Sequence, residues 1–138
     1  MKIPSRQKHL IEEFNLFDNW DDKYSYLISL GKSLRAFPEK KKTDAYQVQG
    51  CQSQVWFNVN FSNGKLYFQG ISDSVIVSGL IGLLLKVYND AFPSDIIDST
   101  PDFMEEIGLS HHLSVTRNNG LQVMVNYIYH SASGYIGL

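Results

Sequence analysis

Between Gln54 and Ile71 the apolar residues alternate around an Asn63-Gly64 pair, and no other stretch constrains the fold as strongly. Over Gln54–Phe61, Val55, Phe57, Val59 and Phe61 alternate with Trp56, Asn58 and Asn60. A period of two places one set on one face, so the pattern predicts a strand with a single buried face. Asn63-Gly64 fits the centre of a type I′ turn, where both residues need positive φ. Lys65–Ile71 then reads as the returning strand of an antiparallel hairpin. Tyr46–Gln49 is expected to add a short third strand.

The buried face of such a hairpin needs a cover, and the flanking sequence has helical periodicity. Ser5 is the expected cap of a first helix, with Leu10, Ile11, Phe14 and Phe17 at helical spacing. A second helix is expected from near Asn19, with Trp20, Tyr24, Leu27, Ile28 and Leu34 in one stripe. Asp21 and Asp22 favour its first turn through the helix dipole. Pro38 and the charged run Glu39–Lys42 end it and open an exposed loop.

After the hairpin, Ser72-Asp73-Ser74 supplies capping chemistry for a helix over Val75–Asn89. That segment is apolar almost all round, with Gly79 and Gly82 permitting close packing, and Pro93 is expected to stop it. Pro101 suits the first turn of a short helix through Ile107, ended by Gly108. A last helix from near Arg117–Gly120 carries Leu121, Met124, Val125 and Ile128. The order predicts the α+β class, a small antiparallel β-sheet packed against helices on one side. The 138 residues suit one domain spanning 1–138, with no repeat or linker.

Charge and cysteine usage exclude whole classes of function. Net charge is -2, and the densest basic run is Lys40-Lys41-Lys42, too few lysines for a nucleic-acid footprint. The most apolar stretch, Val75–Tyr88, is shorter than the roughly 20 residues of a membrane span. Met1–Arg6 lacks the apolar core of a signal peptide, so neither nucleic acid nor membrane is expected as a partner, and the expected location is cytoplasmic. One cysteine excludes an intramolecular disulfide and every multi-cysteine metal motif.

That cysteine is Cys51, in Gln49-Gly50-Cys51-Gln52-Ser53, at the entrance to the first strand. A lone cysteine is most often a small buried apolar residue. Here Gly50 allows a tight or positive-φ backbone, and the glutamines make the surroundings polar and uncharged. A CxxC mechanism is excluded for want of a second cysteine. A thiol hydrolase would need one of His9, His111, His112 or His130 as a base brought from far along the chain. Thiol–persulfide exchange needs only one accessible sulfur and a partner that carries the other. A non-catalytic adaptor that binds a partner without using Cys51 is the alternative.

Adjacent His111 and His112 point in different directions, so they do not form a shared metal site, and no metal is expected. Arg117 is either a solvated charge or an anchor for a partner's carboxylate, since its planar fork suits bidentate pairing. Asp73 reads first as a cap or turn residue.

Gly50-Cys51-Gln52-Ser53-Gln54-Val55-Trp56 resembles the signature of the SufE-like cysteine desulfuration proteins, a family that includes CsdE. Asn19-Trp20, Ser72-Asp73-Ser74, Gly79-Leu80, His112-Leu113, Arg117 and Gly120-Leu121 extend the resemblance along nearly the whole chain. Members often have proline where Val115 stands and a basic residue where Ser78 stands.

The resemblance implies a fold shared with NifU (IscU)-type scaffolds. It also implies that a cysteine desulfurase of the SufS or CsdA type passes persulfide sulfur to Cys51 and is stimulated by doing so. The sulfur then moves to iron–sulfur cluster assembly on a scaffold such as SufBCD. The implied pyridoxal phosphate (PLP) belongs to the desulfurase, and no cofactor is expected on this chain. Gln49, Gly50, Gln52 and Ser53 would shape the acceptor loop. Asp73 and Arg117, and more weakly Glu105 and His112, would contact the partner.

Overall fold

In a computed structural model that describes residues 2–137, the Asn63-Gly64 pair makes the expected turn, at φ 53° and 80°. It joins β1 (Val55–Ser62) to β2 (Lys65–Ser72) in an antiparallel pair. The register sets Val55 against Ser72, Phe57 against Gly70, Val59 against Phe68 and Phe61 against Leu66. Cross-strand partners share a face. The apolar set of β1 therefore joins Leu66, Phe68 and Gly70 in one surface, of which Val55, Phe57 and Leu66 are fully buried. Each such side chain contributes about 2 kcal/mol of hydrophobic stabilisation. On the reverse face, the buried Asn58 donates from Nδ2 to Gln69 Oε1 at 3.0 Å.

The helices are α1 (Ile3–Asn15), α2 (Trp20–Lys32), α3 (Val75–Tyr88), α4 (Pro93–Ile97), α5 (Phe103–Ile107) and α6 (Val115–Ser133). The arrangement is α+β, with α3 at the centre. Ile81 of α3 lies over Gly70, where an added Cβ would come within 2.9 Å of the isoleucine methyl. Tyr127 of α6 packs its ring 5.2 Å from that of Phe57. On its other side α3 meets α2 with almost no side chain between the backbones. A Cβ on Gly31 would lie 2.6 Å from Gly79 N, and one on Gly79 would lie 2.7 Å from Leu27 O.

Several boundaries depart from the sequence expectations. Ser5 lies inside α1 and is not its cap. The helix starts at Ile3 with Pro4 in its first turn, where a fixed φ suits the helix and a missing N–H costs no bond. Tyr46–Gln49 is not a third strand. Its first residue closes a short 3₁₀ turn over Asp44–Tyr46, and the rest contributes one isolated bridge, Gln47 to Trp56, before Gly50 turns the chain away at φ 97°. Pro93 does not stop α3, which ends at Tyr88. Asp90, at φ 55°, lies in the turn beyond it, and Pro93 instead opens α4. Pro101 precedes the short helix ending at Ile107 rather than lying within it, while Gly108 ends that helix in the left-handed region as expected.

The last helix starts earlier than Arg117, because Ser114 caps it by accepting from Arg117 N at 3.1 Å. α2 starts beside Asn19 as expected, with the Asn19 side chain as its cap, and Ser74 caps α3 as expected.

Arg6 closes the far end of α3. Its guanidinium donates to Val87 O at 3.0 Å and to Asp90 O at 2.7 Å, and also to Asn89 O. These carbonyls follow the last intrahelical bonds and would otherwise depend on water. Arg6→Met keeps the stem and removes the donors, so a loss of about 2 kcal/mol is expected in chemical denaturation. An unchanged midpoint would show that water replaces the guanidinium without cost.

Candidate functional site

The segment from Gln49 to Gln54 is held at both ends. At its start, Gly50 combines φ 97° with close contact, since a Cβ there would lie 3.3 Å from Val123 Cγ2 of α6. A side chain is therefore disfavoured by backbone and by space. At its end, Gln54 N donates to Asp73 Oδ1 at 3.1 Å, and Gln54 O accepts from Asp73 N at 3.3 Å and from Ser72 Oγ at 2.7 Å. The Ser72 backbone is in turn tied to the hydroxyl of Ser78, which accepts from Ser72 N and donates to Ser72 O. Asp73 is thus a strap between the cysteine loop and the entry to α3.

Cys51 sits half-buried between these ties, with its thiol 3.8 Å from Gly120 O in a long S–H···O contact. It forms part of the wall of a cleft of about 390 Å³. Val77 and Leu80 of α3 and Leu121 and Met124 of α6 give the cleft apolar lining. Gln52, Ser53, Ser114, Thr116 and Arg117 supply the polar lining. Arg117 is the one charged residue among them. The helical glycine Gly120 keeps this wall thin, since a Cβ there would stand 3.9 Å from the sulfur.

Burial pushes the Cys51 thiol above its ordinary pKa, because desolvation penalises the thiolate. The resting sulfur is therefore protonated at neutral pH and a weak nucleophile. Alkylation by iodoacetamide is expected to run slower near pH 8 than in the unfolded chain. Its rate should keep climbing with pH beyond the range where a free cysteine levels off. A plateau at or below the ordinary thiol range would contradict this placement of the sulfur.

The fold thus brings Cys51, Gln52, Ser53 and Arg117 to one cleft, with Gln49 exposed just before Gly50. Asp73 lies beside it, in a shallow groove with Ile28 and Val75. Two residues named by resemblance stand elsewhere. Glu105 lines a separate groove with His111, Asn118 and Gln122. The His112 ring stacks on Trp20 at 3.8 Å between centroids, and its carbonyl accepts from the Tyr24 hydroxyl, so it fastens α2 to the segment before α6.

None of the histidines lines the cleft, and His9 pairs with Glu13 at 2.9 Å. Among the described residues no group of histidine, cysteine and carboxylate side chains gathers at metal spacing. No described helix is long and apolar enough to cross a membrane.

Sequence reasoning missed Ser114, Thr116, Val77 and Leu80 as cleft residues. The signal for Ser114 was present, a serine three residues before Arg117, whose N–H it caps at the start of α6. That for Val77 and Leu80 was masked because α3 is apolar on every side.

Comparison with known proteins gives consistent findings. Residues 8–132 match the family model described as SufE: Fe-S metabolism associated domain. An uncharacterized SufE-like protein of Rhizobium meliloti (strain 1021) is 41% identical over 132 residues, which cover 91% of this chain and 93% of that protein. The solution structure of a hypothetical protein from Thermus thermophilus superposes with a TM-score of 0.80 at 16% identity. It covers 96% of this chain and 97% of that one, and it shares the fold.

Proposed function

The chain belongs to the SufE family, the Fe-S metabolism associated domain, and from that premise we propose that Cys51 accepts sulfane sulfur from a partner cysteine desulfurase. The observation that carries the reading is the placement of the sole cysteine in the wall of an open cleft with no histidine and no metal-spaced ligands among the described residues around it. Such a sulfur lacks the base that a hydrolase needs, but exchange with a persulfide needs only a sulfur and access to it.

The step balances without an oxidant. The Cys51 thiolate attacks the outer sulfur of the partner's persulfide, and a bond forms between Cys51 Sγ and that sulfur. The partner's own S–S bond breaks, and its cysteine leaves as a thiolate. The proton on the outer sulfur stays with it, so Cys51 ends as Cys–S–SH. The raised thiol pKa at rest favours transfer only once the partner has docked and ionised or uncovered the sulfur, which restrains Cys51 from reacting with passing electrophiles. Pyridoxal phosphate belongs to the desulfurase in this scheme. Gln49, Gly50, Gln52 and Ser53 shape the acceptor loop, Asp73 holds it, and Arg117 meets the partner at the rim. The sulfur then passes towards iron–sulfur cluster assembly in the cytoplasm, on a scaffold of the SufBCD kind.

Incubation with a desulfurase of the SufS or CsdA type and L-cysteine is expected to add one sulfur atom to the intact protein, removable by reductant and mapped to Cys51. An unmodified mass after many desulfurase turnovers would overturn the reading.

A further inference from the structure

Resting on the reading that Cys51 carries a persulfide, we propose that its cleft also binds a small carboxylate-bearing thiol, which takes the sulfane sulfur directly without a second protein. A volume of about 390 Å³ lies within the range of small-molecule sites. The lining is also of the right kind. Val77, Leu80, Leu121 and Met124 offer an apolar bed for a short methylene stem, and no carboxylate lines the cleft to repel an anion.

Arg117 supplies the complementary charge. It is exposed, and none of the ion pairs among the described residues uses it. Its fork is therefore available for a bidentate bond to a carboxylate. A ligand anchored there, with its stem along the apolar bed, presents its sulfur towards the Cys51 side of the same cleft.

The transfer balances with no oxidant or reductant. The acceptor thiol gives up its proton and attacks the outer sulfur of Cys51–S–SH. The bond between Cys51 Sγ and that sulfur breaks, with its electron pair going to Cys51. The acceptor becomes a small persulfide, R–S–SH, and Cys51 regains a proton. Desolvation makes the Cys51 thiolate a poor leaving group, so thiols arriving by chance react slowly. A thiol held in the cleft gains effective concentration and overcomes that disadvantage.

The test loads the persulfide chemically, by forming a mixed disulfide at Cys51 with an aromatic disulfide reagent and displacing the aryl thiol with sulfide. Loss of the extra sulfur is then followed by mass spectrometry against rising mercaptopropionate or mercaptoethanol, which share a short stem but differ in charge. Mercaptopropionate is expected to saturate, and mercaptoethanol to remain linear. Arg117→Gln should lower kcat/KM for mercaptopropionate about tenfold and leave mercaptoethanol within about twofold. Arg117→Lys, which keeps the charge but not the fork, should recover only part of the loss.

A linear response to mercaptopropionate throughout, or an equal fall for both thiols in Arg117→Gln, would overturn the proposal. Because loading is chemical, a desulfurase that fails to load Cys51 would overturn the relay and leave this result standing on its own.

Discussion

Cys51→Ser is expected to abolish sulfur acceptance and to return a partner desulfurase to its unassisted turnover, while leaving the fold intact. The chain has one cysteine, so no second thiol can take over. A serine hydroxyl does not ionise near neutral pH and does not exchange with persulfides, so the loss should be complete rather than partial. The substitution itself is small. Cys51 is half-buried at the edge of the core, its one hydrogen bond is a long one to Gly120 O, and it is not among the fully buried core residues. Both ends of its loop stay tied, at Gly50 against Val123 and at Gln54 against Asp73. A stability change within about 1 kcal/mol is therefore expected.

Two measurements on the same sample decide the matter. Sulfide release by the desulfurase, with and without each protein, reads the function, and thermal unfolding reads the fold. If the serine variant stimulates the desulfurase as well as the natural chain, the protein is an adaptor that works by docking alone. If it melts far below the natural chain, the thiol is a packing residue whose loss cannot be read as chemistry.

The parts of this architecture legible from sequence are those decided within a few residues. Asn63-Gly64 gave the hairpin because the turn's own backbone demands positive φ, and Asn19 and Ser74 gave helix starts because their side chains reach an N–H three residues on. Other features depend on residues far along the chain. Nothing near Arg6 announces that its guanidinium closes α3, because Val87 is 81 positions away. The cleft itself exists because the Cys51 loop meets Gly120, 69 positions later, and the rims of α3 and α6 meet around them.

The resemblance named Asp73 and Arg117 as partner contacts, and Glu105 and His112 more weakly. It carried no spatial reason for that order: Arg117 lies in the cleft with Cys51 and Asp73 holds the loop, whereas Glu105 and His112 face other surfaces. A motif records that residues occur together, whereas only the packing shows which of them touch. The third strand failed for a related reason. Tyr46–Gln49 has β-compatible residues, but Gly50 is committed to turning Cys51 towards α6, and that ends the pairing after one bridge.

Gly79→Ala is expected to be among the most damaging single-methyl changes in the molecule, and its damage should reach the site. The new Cβ would lie 2.7 Å from Leu27 O and 3.1 Å from Leu27 Cγ, the first closer than real Cβ atoms approach. That oxygen is backbone, so no rotamer change relieves the clash, and α2 must move off α3. Overpacking of this sort costs about 3 kcal/mol. Alanine regains up to about 1 kcal/mol over glycine in a helix, leaving a net loss of about 2 kcal/mol. For a chain of this size that corresponds to a fall in Tm of roughly 8 °C.

Gly134→Ala is the control. Gly134 stands at the end of α6 at φ -71°, and a Cβ there would sit 3.5 Å from Ser131 O, an ordinary contact. It should be neutral.

The helix of Gly79, α3, carries Val77 and Leu80 into the cleft and begins just after the serine that follows Asp73, so displacing it loosens the strap on Gln54. Cys51 in Gly79→Ala should therefore alkylate faster than in the natural chain under conditions where both are folded. Equal melting temperatures for the two alanine variants would show that α2 and α3 are not held at backbone contact. A lowered melting temperature with unchanged alkylation would show that the Cys51 loop takes its position from α6 alone.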